Sequence, residues 1–395
     1  MNVSPSISET MQALRLYGAG MEHLRLERVP APHAGPGQYV VRIDAVGICA
    51  SDYKMVVQGE GHVRVRGRDL SREPTTPGHE VSFTIAAAGP GMDSSRVGRR
   101  YTLQPDIVHQ GVAMAYGYRL PGGLRQYHLI GPEVLDGSYL LDVDPSLGYA
   151  QVGLAEPWAC VYFAYENHRH TRSVKPGGVT WCVGAGPLGL MHVEKSISDG
   201  VGRIVVTDLR EDRLGKVRRT LVPLAEARGI PLDLVNPETT AIETVLEPGS
   251  VDDLILACPS TRALTEALPH LATGAFINAF AGFPSRDEAD ITLNLNDMHY
   301  GNWTLVATSG SPISCLERAL AYVTAGRIDP NNAVAAVGGI DAAWQAVADV
   351  HAGTYPGKIV IYPQIERPLT RIEDLTGGAP WSREAEERLL AGDGP

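Results

Sequence analysis

The sequence predicts an α/β protein of two domains, one β-rich and one built on a doubly wound parallel sheet. The chain of 395 residues is longer than one ordinary hydrophobic core needs. Residues 12–150 carry short apolar runs between glycine and proline, a pattern typical of strands. Further along, strand and helix patterns alternate, which indicates βαβ units and hence a parallel sheet.

The elements of the middle region follow from the spacing of apolar residues and breakers. Strands are predicted at 179–183, 203–208, near 232, 253–257 and 275–280, and helices at 188–198 and 211–227. After residue 310 the pattern changes to a helix at 316–324 and a closing strand at 357–361. Because no partner strand lies near that closing strand in sequence, we expect it to return to the β-rich domain.

These elements predict a discontinuous domain organisation. Residues 1–165 and 311–375 form the β-rich domain, and residues 166–310 form the parallel-sheet domain. Residues 376–395, with a short charged helix at 383–390, are treated as an appendage.

Composition and charge exclude several classes of function. With 44% hydrophobic and 20% charged residues the chain is not extensively disordered. A net charge of −11 disfavours nucleic acid or an anionic membrane as partner, although a local basic pocket can still bind a small anion. No apolar run reaches the roughly 20 residues of a membrane span, and no secretory signal is expected. The five cysteines are scattered, which predicts a reducing, cytoplasmic compartment.

A glycine-rich turn predicts a dinucleotide site. The segment Val183–Gly189 has the form G-x-G-x-x-G between an apolar strand and a helix. Gly184 permits the tight turn, Gly186 lets the backbone approach a pyrophosphate, and Gly189 lets the helix pack closely on the sheet. Asp208 ends the next strand about twenty residues on, where an acid hydrogen-bonds the ribose hydroxyls of NAD.

Two alternatives remain open at this turn. Asp208 would repel a 2′-phosphate, but Arg210 and Arg213 follow it closely enough that NADP is not excluded. Leu188, at the start of the helix, is included among the cofactor-binding candidates. A plain strand-to-helix glycine turn with an exposed aspartate is the structural alternative.

Four residues from three distant segments form a candidate metal site: Cys49, His79, Glu80 and Glu156. Alone, a cysteine is usually a small buried hydrophobe, and an isolated histidine usually has a structural role. Glu156 lies among apolar neighbours, where a carboxylate needs a cation or a proton. Thiolate, imidazole and carboxylate with a water position suit a catalytic zinc, and sulfur and nitrogen donors argue against magnesium or calcium. Whether Glu80 or Glu156 is the direct ligand stays open.

In this order and spacing the motifs resemble the zinc-dependent medium-chain dehydrogenase/reductase superfamily between Leu14 and Tyr362. Cys49, His79-Glu80 and Glu156 fall on the family's catalytic-zinc positions, with Glu156 replacing the cysteine of simple alcohol dehydrogenases, as in the sorbitol and threonine dehydrogenases. The resemblance implies a GroES-like catalytic domain, an inserted Rossmann domain, one catalytic zinc, NAD, and a homodimer or homotetramer.

Within this family the chain most resembles the sorbitol dehydrogenase and sorbose-1-phosphate reductase group. The matching segments are Leu103-Gln104-Pro105, Gly153-Leu154-Ala155-Glu156-Pro157, His299-Tyr300, Thr308-Ser309-Gly310 and Gly338-Gly339-Ile340-Asp341. Many relatives carry a second, structural zinc on four cysteines. Because no cysteine lies between Val81 and Gln151, we expect no structural zinc and instead packing around Tyr116 and Tyr118.

The resemblance also implies the reaction. A hydride passes from the carbinol carbon to C4 of the nicotinamide, with zinc as the Lewis acid. Ser51 relays the proton outward. Lys54 stands where many relatives carry a histidine, so it continues the relay, binds a substrate phosphate, or is simply solvated. A basic rim or a solvated edge strand accounts equally for a run of four arginines: Arg64, Arg66, Arg68 and Arg72.

Two segments flank the nicotinamide by resemblance: Ala281-Gly282-Phe283 and Ser309-Gly310. Both follow predicted parallel strands at their carboxyl ends, although hydrophobic loop packing explains them as well. The sequence therefore predicts a zinc- and NAD-dependent dehydrogenase of a polyol, sugar alcohol or sugar phosphate. The alternatives are a zinc-free quinone or enone reductase of the same fold, and a non-catalytic dinucleotide-binding protein.

Overall fold

The computed structural model describes residues 7–166, 173–283 and 287–392. The chain divides into two compact units. Unit 1 comprises Met1–Pro157 with Pro312–Pro395, and unit 2 comprises Trp158–Ser311. The sequence had suggested joins at 165/166 and 310/311. The first join of the compact units lies inside a helix, at a position that periodicity alone does not mark.

The strands are β1 (Thr10–Leu16), β2 (Leu24–Pro30), β3 (Tyr39–Ile48), β4 (Glu80–Ala88), β5 (Arg100–Leu103), β6 (Val108–His109), β7 (Val112–Ala113), β8 (Tyr127–Ile130), β9 (Leu140–Asp142), β10 (Val179–Val183), β11 (Arg203–Thr207), β12 (Leu232–Val235), β13 (Val251–Leu256), β14 (Leu271–Ala279), β15 (Thr304–Val306), β16 (Val334–Gly339), β17 (Lys358–Tyr362) and β18 (Thr370–Arg371). The α-helices are α1 (Ala50–Gln58), α2 (Pro132–Leu135), α3 (Tyr149–Gly153), α4 (Ala155–Glu166), α5 (Pro187–Asp199), α6 (Glu211–Thr220), α7 (Val222–Glu226), α8 (Thr261–Ala267), α9 (Leu295–Gly301), α10 (Ile313–Thr324), α11 (Ala343–Ala352), α12 (Ile372–Thr376) and α13 (Arg383–Ala391). In the described part of the chain no helix is long and apolar enough to cross a membrane.

Unit 1 is built on one large sheet with the order β18-β16-β17-β3-β4-β5-β9, and β8 also pairs with β3. Strand β3 is buried at almost every position because strands flank it and packing covers both faces. The closing strand β17 pairs antiparallel with β3, Val360 opposite Gly47, which confirms that it returns to the β-rich domain. Tyr116 and Tyr118 are buried in the main core of this unit, as expected.

The C-terminal segment is an integral part of unit 1, so treating residues 376–395 as an appendage was wrong. Trp381, Ala385 and Leu389 are buried in one cluster with Leu154 and Tyr362. Helix α13 is amphipathic: its apolar face packs on the unit and its charged face is exposed. The high charge of the segment concealed that apolar face. Residues 393–395 lie outside the described residues.

Unit 2 contains a six-stranded parallel sheet with the order β12-β11-β10-β13-β14-β15. The order reverses between β10 and β13, so the carboxyl ends of these two strands form a crevice of the kind in which open α/β sheets bind ligands. The helix expected at 211–227 is broken into α6 and α7. Pro223 falls in the first turn of α7, where the ring replaces an N–H that a continuous helix would need.

Candidate functional site

Three of the predicted ligands converge in unit 1. Cys49 directly precedes α1, His79 directly precedes β4, and Glu80 is the first residue of β4. One ligand atom from each side chain lies within 4.8 Å of the other two. Gly78 makes this possible because its φ of +96° turns the chain sharply into β4, a conformation that favours glycine.

Asp52 fixes the orientation of His79. One oxygen of its fully buried carboxylate lies 3.0 Å from Nδ1 of His79 and accepts the N–H of Gly78 at 3.0 Å. The other accepts the N–H of Cys49 at 2.9 Å, which caps α1. Although burial opposes ionisation, His79 and these amides hold the pKa of Asp52 below its usual value. Nε2 of His79 is thereby left as the available ligand atom, the arrangement commonly found behind metal-bound histidines.

Glu80 is anchored by a buried lysine. Lys358 on β17 donates to Oε1 of Glu80, and both side chains are almost completely buried. Burial works against the charged lysine, but Glu80, Cys49 and Glu156 together raise the pKa of Lys358. Oε2 of Glu80 faces Gly47, whose missing side chain leaves room for it, and has no hydrogen-bond partner among the described residues.

Glu156 lies beside this group in the first turn of α4, but outside the compact trio. It is 6% exposed. Burial raises the pKa of Glu156 to about 7; Glu80 adds to that rise, whereas His79 and Lys358 oppose it. Its carboxylate is therefore close enough to interact electrostatically with the cluster.

The donor set fits a zinc ion. Sulfur, imidazole nitrogen and carboxylate oxygen are the donors zinc prefers, and their mutual spacing suits a tetrahedral site with one position open. The unpartnered Oε2 of Glu80 is a buried acceptor in need of a cation or donor. Glu80 and Glu156 are buried acids, and a cation at this position would help to compensate the cost of burying their charge.

The two residues predicted to handle protons or phosphate occupy different positions on α1. Ser51 places its hydroxyl 3.5 Å from Nε2 of His79. Lys54 is exposed on the same helix, near His62, whose pKa is lowered first by burial and then by Arg64 and Lys54.

An aromatic and basic cluster adjoins the predicted ligands. The ring of Tyr118 lies 5.5 Å from that of His79 and 5.3 Å from that of His62. The guanidinium of Arg64 lies 5.1 Å from the centre of the Tyr118 ring and 2.8 Å from the carboxylate of Asp106. Aromatic rings and a positive charge therefore lie on one side of His79.

The other arginines of the predicted rim have different roles. Arg68 donates to the backbone carbonyls of Arg119 and Glu73 and so holds the loop together. Arg66 and Arg72 are exposed, and Arg72 lies 3.5 Å from Asp69. Among the four arginines, Arg64 is therefore the one placed beside the cluster around His79.

The glycine turn of unit 2 has the predicted strand–turn–helix context. Gly184 follows β10 with a φ of +104°. A Cβ on Gly189 would overlap the carbonyl oxygen of Gly184, so only glycine fits where α5 packs on the turn. A Cβ on Gly186 would meet nothing within 4 Å, and this residue precedes the first turn of α5, where backbone N–H groups lack helical partners. The turn therefore presents an open cradle for an anion.

Asp208 is bound into the same turn. Its carboxylate accepts the N–H of Ala185 at 2.8 Å and that of Arg210 at 2.9 Å, and it lies 3.4 Å from Arg213. The side chain of Arg210 is turned toward Asp212. Leu188 is partly exposed in the first turn of α5.

The remaining cofactor candidates lie at the carboxyl edge of the same parallel sheet. Ala281, Gly282 and Phe283 follow β14, and the N–H of Ala281 bonds to the carbonyl of Leu256 at the end of β13. Ser309 and Gly310 follow β15, and Gly310 has a φ of +71°. These segments share the edge on which the glycine turn lies.

Sequence reasoning gave no role to Asp52 or Lys358. Asp52 stands three residues after a predicted ligand, at the position from which an acid caps a helix. Lys358 begins an otherwise apolar strand, where an unpaired charge would be costly. Both features are visible in the sequence, but neither indicates that Asp52 would contact His79 or that Lys358 would contact Glu80.

The chain is similar to known dehydrogenases and reductases in sequence and in fold. The alcohol dehydrogenase GroES-like domain matches residues 35–135. Mannitol-1-phosphate 5-dehydrogenase of Aliivibrio fischeri is 29% identical over 90% of this chain and 88% of its own. L-sorbose 1-phosphate reductase of Klebsiella pneumoniae is 27% identical over 97% of this chain and 98% of its own. Over nearly its whole length the chain resembles the medium-chain dehydrogenase/reductases of the polyol dehydrogenase kind. The structure of 2R,3R-butanediol dehydrogenase from Bacillus subtilis covers 89% of this chain and 99% of its own at a TM-score of 0.71 and 21% identity, which shows the shared fold.

The protein is an oxidoreductase that is similar to alcohol and polyol dehydrogenases. The predicted α/β class and the β-rich GroES-like domain are confirmed, as is the parallel Rossmann-type sheet.

Proposed function

We propose that this enzyme is a zinc- and NAD-dependent dehydrogenase that interconverts a secondary alcohol of a polyol phosphate and the corresponding ketone. The convergence of Cys49, His79 and Glu80, with Asp52 orienting the imidazole, is the observation that carries the proposal. Cys49 and His79 would hold the zinc together with Glu80 or Glu156. When bound, the zinc would polarise the substrate oxygen, and the dinucleotide would accept or supply the hydride.

The protein residues supply orientation, charge balance and a proton path. With zinc on Nε2, Asp52 would keep the proton of His79 on Nδ1, and Lys358 would offset the negative charge of Glu80. The hydroxyl of Ser51 lies 3.5 Å from Nε2 of His79 and would take the substrate proton and pass it toward solvent. Water at the surface would then accept it.

The dinucleotide would bind the turn at Gly184 and Gly186, with its pyrophosphate at the start of α5. Asp208 supports NAD over NADP, because a carboxylate at the end of β11 repels a 2′-phosphate. Arg213 offsets part of that charge at 3.4 Å, so discrimination against NADP should be moderate. Leu188, the segment after β14 and Ser309-Gly310 would line the same site.

The proposed phosphate preference rests on Lys54 and Arg64. The guanidinium of Arg64 lies over the ring of Tyr118, which neighbours His79, and Lys54 lies close enough to His62 that, after burial, it and Arg64 lower the pKa of His62. A phosphate ester adds a charge of about −2 at neutral pH, which a lysine binds as a point charge and an arginine as a fork. The similarity to two sugar-phosphate enzymes supports the same preference.

The test is metal analysis of the purified protein followed by a screen for NAD reduction with polyols, each paired with its phosphate ester. We expect about one zinc per chain and the higher kcat/KM with an ester. Lys54→Met should raise KM for the ester about tenfold and leave KM for the free polyol unchanged. Arg72→Met, an exposed arginine paired with Asp69, is the matched control.

Two results would support the alternatives. Activity that survives chelation in a zinc-free protein would indicate a zinc-free reductase of the same fold. Binding of NADH without turnover of any substrate would indicate a non-catalytic dinucleotide-binding protein.

We also expect a homodimer or homotetramer. β15 is an edge strand of the six-stranded sheet, and such edges are surfaces on which a second copy can pair. Light scattering of the purified protein tests this expectation.

A further inference from the structure

The C-terminal helix α13 carries a buried acid that the proposed chemistry does not use. Glu386 is 2% exposed although its neighbours on the helix, Glu384 and Glu387, are exposed. A buried carboxylate is costly unless hydrogen bonds replace its water. Both oxygens of the Glu386 carboxylate accept hydrogen bonds.

Its partners belong to a helix more than 230 residues earlier in the chain. One oxygen accepts the N–H of Tyr149 at 2.6 Å, and the other accepts the N–H of Ala150 at 2.7 Å. These are the first two residues of α3, whose amides have no partner within the helix. Glu386 therefore caps α3 from a distant segment, and its negative charge is favourable at a helix N-terminus.

A second layer holds Glu386 itself. The hydroxyl of Tyr362 donates to Oε1 of Glu386 at 2.8 Å, and the indole N–H of Trp381 donates to the same hydroxyl at 3.1 Å. Tyr362 is the last residue of β17, the strand that begins with Lys358. The acid is thus fixed from both the sheet and the C-terminal segment.

Helix α3 leads directly to Glu156. It ends at Gly153, and α4 begins at Ala155 with Glu156 in its first turn. Gly153 lies so close to β4 that a Cβ there would sit 3.2 Å from the carbonyl oxygen of Glu80. Leu154 packs in the same cluster as Trp381. A shift of α3 would therefore move Glu156 relative to Glu80.

We propose that Glu386 is a positioning residue: by capping α3 it sets the place of Glu156 beside His79 and Glu80. The inference rests on the proposed function, because it assigns the C-terminal segment to the assembly of that metal site. A purely structural cap would add stability and leave the site unchanged, so the test needs readouts that separate the two roles.

The variants are Glu386→Ala and Glu386→Gln, with Glu387→Gln as matched control. Glu387 is an exposed acid next to Glu386 and pairs with Arg383 at 2.7 Å. Zinc affinity is measured by competition with a chromophoric chelator, and backbone order by hydrogen exchange of residues 149–157. We expect Glu386→Ala to weaken zinc binding about tenfold and to speed exchange in this segment, and Glu386→Gln to do so less. NADH affinity and the control should match the wild type.

Wild-type zinc affinity and unchanged exchange at 149–157 in a destabilised Glu386→Ala protein would overturn the proposal. If the wild type itself binds no zinc, the proposed function fails, whereas the exchange measurement still decides whether Glu386 positions this segment. If Glu386→Ala does not fold, Tyr362→Phe removes one of the three hydrogen bonds. Tyr362→Phe should then weaken zinc binding and speed exchange at 149–157, both less than expected for Glu386→Ala. A Tyr362→Phe protein with wild-type zinc affinity and wild-type exchange would contradict the proposal.

Discussion

Lys358 and Glu80 form a buried ion pair across the sheet of unit 1, although 278 positions separate them in sequence. Lys358 starts β17 and Glu80 starts β4, and β3 runs between these two strands. The lysine thus connects β17 to Glu80, one of the predicted metal ligands.

Lys358→Met should destabilise the protein strongly. Removing one partner of a buried pair leaves the carboxylate of Glu80 without compensation, at a cost of about 3–5 kcal/mol. Urea unfolding measures this loss. Lys175→Met is the control: Lys175 is 52% exposed in its pair with Asp252, so its removal should cost less than about 1 kcal/mol. The double variant Lys358→Met/Glu80→Gln should recover part of the stability, and no recovery would mean that the pair is not the cause.

Asp52→Asn should lower zinc affinity about 10- to 100-fold, because the neutral amide no longer holds the proton of His79 on Nδ1. Competition with a chelator gives the affinity, and a melting curve shows that the protein is folded. Asp69→Asn, an exposed acid of the same unit, should leave the affinity unchanged. Equal zinc affinity in Asp52→Asn and wild type would remove Asp52 from the metal site.

Gly186→Ala and Gly189→Ala should separate cofactor binding from folding. A methyl group on Gly186 meets nothing in the protein, so the variant should keep its melting temperature and bind NADH at least about tenfold more weakly. A methyl group on Gly189 meets the carbonyl of Gly184, so that variant should be destabilised as well. Calorimetry measures the NADH affinity of each variant, and a thermal melt measures its stability. Undiminished NADH binding by Gly186→Ala would place the pyrophosphate elsewhere.

Stability should fall in mild acid because of His192, which is fully buried in unit 2 with Nδ1 2.8 Å from the hydroxyl of Tyr165. Burial lowers the pKa of His192 to about 3, whereas in the unfolded chain it titrates near 6.5. Its contribution is therefore complete above pH 6.5 and is lost as the pH falls toward 3, at about 1.4 kcal/mol per unit.

Between pH 6.5 and pH 5 the wild type should lose about 2 kcal/mol of its free energy of unfolding through His192. The variant His192→Gln should not show this loss. Urea unfolding at both values measures the difference. His23→Gln, which changes a histidine that is 46% exposed, should keep the wild-type pH dependence. The same pH dependence in His192→Gln would show that other groups cause the acid effect.

The sequence was most informative where structure is local. The glycine turn, its strand and its helix lie within about twenty residues, and their periods and breakers specify them directly. The candidate ligands were also recognisable, because Cys49, His79 and Glu156 each lie in a short motif that the resemblance interprets.

Long-range pairing could not be predicted in the same way. Lys358 and Glu386 are ordinary residues in a strand and a charged helix until Glu80 and α3 are placed beside them. Nothing in a single sequence states which distant carboxylate or amide will meet them. The role of the C-terminal segment was missed for the same reason: its buried apolar face is short, and the core that covers it combines nearby residues such as Val360 with Ala150 and Leu154, which lie more than 200 residues earlier.

The connectivity of unit 1 has a consequence for synthesis on the ribosome. β3 is made early but receives β17 on one side only after about 310 further residues have been translated. Unit 2 is continuous and can fold during that interval, while the open side of β3 is a surface on which aggregation can start. Lys358 and Glu386 emerge long after Cys49, so a chain truncated before them would leave the Cys49 centre unfinished.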